Sequence, residues 1–187
     1  MDEKIKLGTL LVLRDGVHDP SGYFEQSLIL IISRESETYI GLNISGPTDE
    51  FKSAEIPDHV FLCSGGPPAN ANDSLTYLQK VRYLNTFGVI GDTGYSAVNI
   101  DEQVLQRIFK QGKEVEVMFS HAMWSVGLLE AQIKAGYWIV CPSTVTLDAL
   151  LAISRPERRK RALELSLGPT APTKIRPSRG RGSNYNI

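Results

Sequence analysis

This sequence is poor in the residues that announce chemistry: two cysteines, three histidines and three methionines among 187 residues. Cys63 and Cys141 are too few for a disulfide framework and have no metal-ligand spacing. Two buried free thiols in a reducing cytosol are the expected reading. His59 and Cys63 stand four apart in a strand-like segment, about 13 Å along it, too far to share one ion. No metal site is expected. The most apolar stretch, residues 28–32, is far too short to cross a bilayer. Residues 1–6 lack the apolar run of a secretory leader, so a cytoplasmic location and no membrane partner are expected. Gly88-Val89-Ile90-Gly91-Asp92-Thr93-Gly94 fits neither the dinucleotide fingerprint nor a phosphate-binding loop. It reads as turns, and no cofactor is expected.

What is present suits one domain with a sizeable core: 42% hydrophobic and 22% charged residues. Charge is unevenly spread. Residues 155–187 hold nine Lys/Arg against Glu157 and Glu164, a balance of +7, which leaves −8 on residues 1–154. An acidic body with a basic end suggests two jobs or self-contact.

Apolar runs at residues 7–13, 27–33 and 39–44 read as strands, with a charged hairpin tip at 34–37. The continuous Leu28-Ile29-Leu30-Ile31-Ile32 run predicts burial on both faces of its sheet. Further strands are expected at 58–63, 87–90, 115–119 and 137–141; over 75–81 Leu75, Tyr77, Gln79 and Val81 alternate as in a strand, the favoured reading, while Leu75, Leu78 and Leu84 could equally line a helix. Asn99 and Glu102 resemble a capping box; Val104, Leu105, Ile108 and Phe109 then recur at helical spacing up to Gly112. A second helix starts at Ser125, shares a face through Val126, Leu129 and Ile133, pairs Glu130 with Lys134, and stops at Gly136. Trp124 and Trp138 flank it, and they read as core anchors that fix helix to sheet. A short helix is expected over 146–153. Ser154 and Glu157 then open a basic helix to about residue 167. Residues from 168 onward are rich in Pro, Gly and Ser and predict a disordered tail. The order of elements predicts an α+β domain around a large mixed sheet over residues 1–153, with residues 154–187 as basic helix and tail.

Candidate chemistry is sparse. Ser64 precedes Gly65-Gly66, whose amides suit an oxyanion, but the surrounding sequence is not a nucleophile elbow. A tight strand exit is the simpler reading. Ser120-His121 pairs a hydroxyl with an imidazole, yet neighbours at a strand end point in opposite directions. Asn43 ends an apolar strand, either as a buried amide organising loops or as a turn residue. Arg158-Arg159-Lys160-Arg161, with Arg179 and Arg181, forms the best nucleic-acid signal, because flexible cations bind phosphates by counterion release.

Several of these segments, in order, resemble the AlgH/YqgE-like family of small bacterial proteins. They are Gly8-Thr9-Leu10-Leu11-Val12, Asp19-Pro20 with Phe24, Ser27-Leu28-Ile29-Leu30, Gly41-Leu42-Asn43, Ser64-Gly65-Gly66-Pro67, and Trp124, Gly127, Leu129, Glu130 and Trp138. The resemblance covers about residues 7–151 and leaves the basic end outside. Where the family reads Gly-Tyr-x-Gly-Trp, this chain has Ser120-His121-Ala122-Met123-Trp124. Ser21-Gly22-Tyr23 are three extra residues between Asp19-Pro20 and Phe24. The resemblance implies an α+β fold with a large mixed sheet, no established enzymatic activity, and a transcriptional-regulator label. The expected function is therefore binding of an unidentified protein or small molecule at a patch around Asn43, Gly65, Gly66, Pro67, Trp124 and Glu130. Nucleic-acid contact through the basic end is the first alternative, and hydrolysis by Ser64 the second.

Overall fold

The structure, a computed structural model, describes residues 5–46, 55–67, 75–81 and 88–168. Nine strands and four helices fill them. In chain order they are β1 (Leu10–Leu13), β2 (Leu28–Glu35), β3 (Thr38–Asn43), β4 (Val60–Ser64), β5 (Leu75–Lys80), β6 (Tyr95–Asn99), α1 (Glu102–Gln111), β7 (Val115–Phe119), β8 (Ala122–Ser125), α2 (Val126–Lys134), β9 (Trp138–Val140), α3 (Leu147–Leu151) and α4 (Arg155–Leu167). The α+β class is as expected, but the strands divide between two sheets. One is antiparallel throughout, in the order β8-β3-β2-β1-β9; the other runs β4-β7-β5-β6 with β4 and β7 parallel.

The run in β2 explains the layering. Side chains alternate across a strand, so a continuous apolar run feeds both faces. Leu28 and Leu30 join Leu10, Val12 and Leu42 on one face, packed against Cys63 and Met118 of the second sheet and Leu147, Leu150 and Ala162 of α3 and α4. Ile29 and Ile31 join Leu11, Leu13, Tyr39 and Trp124 on the other face, covered by Val126 and Leu129 of α2. The second sheet lays its outer face, Val60 and Val117, against Val104 and Ile108 of α1. Each sheet thus closes one side of a shared interior.

The indoles do what their spacing predicts. Trp124 and Trp138 are 5% and 2% exposed and meet edge to face with centroids 5.8 Å apart, and Phe24 touches both. Trp138 Nε1 donates to Gln132 Oε1 at 2.9 Å, so the far end of α2 is tied by a buried hydrogen bond.

Local readings differ at several points. Asp101, not Asn99, caps α1: its carboxylate accepts from Val104 N–H at 2.8 Å, because Asn99 is still paired to Thr76 in β6. Ser125 precedes α2 without a side-chain cap; Val126 N–H donates instead to the Glu37 carbonyl. Glu130 accepts from Tyr39 Oη at 3.3 Å rather than pairing with Lys134. Val89 makes a single bridge to Ser96 in place of the strand expected over 87–90, and residue 87 lies outside the described residues. Strands β6 and β8 were not expected: β8 holds four residues leading directly into a helix, too few for a period to register.

Candidate functional site

The two sheets meet at the ends of β3, β4 and β7. Asn43 N–H donates to the Gly65 carbonyl and Gly65 N–H to the Phe119 carbonyl. From Phe119 the chain needs only Ser120 and His121 to pass from the second sheet into β8 of the first. Ser120 makes that step at φ 60°, a left-handed conformation that glycine adopts without strain. The glycine usual in the family at this position is the signal for it. Gly65 and Gly66 lie against this crossing. A Cβ on Gly65 would fall 2.5 Å from the Ser120 carbonyl oxygen, and one on Gly66 2.1–2.5 Å from three backbone atoms of His121. The glycine pair is a close backbone approach, and the Gly65 amide is bonded to the Phe119 carbonyl.

Asn43 is 2% exposed and fully used. Its amide nitrogen donates to Ser27 Oγ (3.0 Å) and Tyr23 Oη (3.2 Å), and its oxygen accepts from Ser45 and Gly46 N–H. It is the buried amide of the two expected readings. Tyr23, one of the three extra residues, thereby reaches the junction. Ser64 Oγ donates to the Gly66 carbonyl at 2.9 Å and lies 3.4 Å from Tyr23 Oη. His59 Nε2 sits 3.2 Å from the Ile108 carbonyl, against α1, and His18 Nδ1 3.9 Å from Glu25. Pro67 offers its carbonyl to Ser120 Oγ at 3.3 Å. The expected surface patch is therefore mostly interior: Asn43, Gly65, Gly66 and Trp124 are buried, while Glu130 is exposed. The physical reason is that the Asn43 amide and the Gly65 backbone close strand ends, the glycines lie against the crossing, and Trp124 packs in the core.

The largest departure concerns the basic end. Arg155 and Arg158 are each 4% exposed and stand at the centre of the molecule. Arg155 donates to the carbonyls of Gly46 (2.8 Å) and Asn43 (2.7 Å) and to Glu116 Oε2 (2.9 Å). Arg158 grips both Glu116 oxygens at 2.7 Å and donates to the Ile44 carbonyl at 3.0 Å. Glu116 projects from β7 on the same face as Met118, into the space between the sheets. Burial pushes its carboxyl upward, but hydrogen bonding and charge from Arg158, then Arg155, outweigh that and hold it below its ordinary value. Arg155, Arg158 and Ala162 of α4, beyond the boundary expected after residue 153, are buried against the rest of the chain. Two arginines three apart share a helix face, and a lone acid in the apolar strand V-E-V-M-F was the matching signal. Arg158 is not available to a phosphate, and Arg159 is largely engaged; Lys160 and Arg161 are exposed, Arg161 within 3.4 Å of Glu164. Arg179 and Arg181 lie outside the described residues.

Arg159 reaches past the end of β1 into a cleft of about 380 Å³, walled by Leu13, the turn from Arg14 to His18, and Glu25 and Gln26. Its Nη2 donates to the Leu13 carbonyl (3.0 Å) and Asp15 Oδ1 (2.8 Å). Its Nε is buried with no hydrogen-bond partner, the one such side-chain atom among the described residues. Arg14 Nε donates to the Gly136 carbonyl at 2.7 Å. Among the described residues no three His, Cys, Asp or Glu side chains gather as a metal site, and no helix is long and apolar enough to cross a membrane. Burial raises the Cys141 thiol above its ordinary value, outweighing its hydrogen bond with Ser166, and Cys63 is buried.

Fold and site together define an α+β protein of two packed sheets, with a polar junction inside and an arginine-lined cleft at one end. The AlgH-like family profile matches residues 10–169, and the chain belongs to that family. The match runs through all of α4. The chain is 27% identical to the protein AlgH of Pseudomonas aeruginosa over 145 residues, 74% of this chain and 71% of that protein. It is 25% identical to a protein of Mycobacteroides abscessus over 187 residues, covering 92% and 88% of the two. The solution structure of Pseudomonas aeruginosa AlgH superposes with a TM-score of 0.63 at 21% identity, over 86% of this chain and 88% of that one. A crystal structure from Corynebacterium diphtheriae gives 0.53 at 18%, over 84% and 93%. These two likenesses establish the fold.

Proposed function

We propose that this chain is a regulatory binding protein of the cytosol that works without a catalytic step, and that its occupant sits in the cleft beside Arg159. One contrast carries the reading. The groups with the chemistry of a hydrolase are engaged within the protein: Ser64 Oγ donates to the Gly66 carbonyl, Gly65 N–H donates to the Phe119 carbonyl, and neither glycine leaves room for a Cβ. The cleft, in contrast, has the size of a small-molecule site, and Arg159 on its wall keeps a buried Nε–H without an acceptor. The transcriptional label implied by the family resemblance receives less support, because two of its candidate phosphate contacts are consumed by Glu116, Asp15 and backbone carbonyls.

Treatment with a fluorophosphonate probe separates binding from hydrolysis, since the probe labels activated serines. The expected outcome is no adduct on Ser64 by peptide mass spectrometry; stoichiometric labelling there would establish the hydrolase instead. Native mass spectrometry of freshly purified protein is expected to show a noncovalent small-molecule mass that is lost when Arg14 is changed to Ala.

A further inference from the structure

We infer that the cleft takes a small carboxylic acid, with a dicarboxylate the best fit; this rests on the binding reading above and names its ligand class. The Nε and Nη2 edge of a guanidinium presents two parallel N–H groups that match the two oxygens of one carboxylate. On Arg159 that edge is half used. Nη2 donates to the Leu13 carbonyl and to one oxygen of Asp15, and Nε has no acceptor although it is buried. An unsatisfied buried donor is a standing cost, which an incoming acceptor removes.

Asp15 shows which chemistry the edge accepts. It is a carboxylate of the chain itself, 61% exposed on a turn that includes Gly16, and tethered so that only one oxygen makes contact. A free carboxylate displaces Asp15 from Nη2 and bonds both nitrogens. A second positive group stands on the same cleft: Arg14 uses Nε on Gly136, and its two Nη groups have no hydrogen-bond partner among the described residues. Val17 adds an aliphatic side chain to the lining. Two arginines on one cleft suit two carboxylates joined by a short carbon chain. His18 and Glu25 lie on the rim and neutralise each other when His18 is protonated.

The test is a titration of the full chain with succinate, at constant ionic strength, followed by 1H–15N NMR. The Arg159 Nε–H resonance and the amides of residues 14–18 are expected to shift saturably. Arg14→Ala, at an exposed position, weakens binding about tenfold, as expected for loss of a charged hydrogen bond. Asp15→Asn strengthens it, because the internal competitor loses its charge. Acetate binds more weakly than succinate at the same resonances. The inference is overturned if succinate produces no saturable shift there. It is equally overturned if sulfate matches succinate, or if Arg14→Ala and Asp15→Asn leave the affinity unchanged. If succinate fails while native mass spectrometry still finds a ligand of another class, the binding function stands and the carboxylate assignment falls.

Discussion

Replacing Glu116 with alanine is expected to cost about 3–5 kcal/mol of folding stability, the usual penalty for leaving a buried charge without its partner. Two guanidiniums lose at once the only carboxylate they meet among the described residues. Arg155 and Arg158 have side chains 3% and 5% exposed, and Glu116 is 27% exposed, so water reaches the acid but not the bases. Backbone carbonyls of Gly46, Asn43, Ile44 and Leu150 remain as acceptors; they satisfy hydrogen bonds but carry no charge. Urea unfolding followed by tryptophan fluorescence measures the loss, since Trp124 and Trp138 sit in the core. The same contact fixes an acid dependence. The native pKa of Glu116 is depressed below its unfolded value near 4.5, so its contribution is present in full above that value. It is lost as pH falls from about 4.5 through the native pKa. Wild-type stability is therefore expected to drop across that window, and Glu116→Gln, already less stable at neutral pH, to drop less.

Changing Gly66 to alanine is expected to cost about 3 kcal/mol, at the upper end for overpacking. The new Cβ would lie 2.1, 2.3 and 2.5 Å from the carbonyl carbon, oxygen and Cα of His121. None of these atoms is the end of a flexible side chain, and the neighbouring Ser120 is already in a left-handed conformation. Relief requires moving the crossing between the sheets. Gly127→Ala is the internal control. No atom lies within 4 Å of its added Cβ, and it sits in α2, where alanine is favoured over glycine by up to about 1 kcal/mol. Thermal melts of the two variants are expected to shift in opposite directions.

The core strands were legible because their chemistry is local. An apolar run with no period, as in β2, states its own burial on both sides, and the two tryptophans state their own need for a partner. The division into two sheets was not legible. It depends on where β7 ends and β8 begins, and that boundary is a two-residue step whose usual glycine is a serine here. The burial of Arg155 and Arg158 is hard to see in the sequence for a related reason. A cluster of arginines after the last apolar segment has the composition of a solvated surface, and only the three-residue spacing of Arg155 and Arg158 marks them as one helix face. Their partner, Glu116, is 42 residues from Arg158 in sequence, beyond any local pattern. The cleft leaves no trace in the sequence, because Arg14 and Asp15 meet Arg159 only when α4 crosses the end of β1.

Native-state hydrogen exchange on α4 tests most directly whether this helix belongs to the domain core. The amides of Arg159 and Ala162 are expected to exchange only through global unfolding, with the same opening free energy as those of Ile29 and Leu30 in β2. Exchange of the α4 amides several orders of magnitude faster than those of β2 would show a helix that detaches on its own, contradicting the account.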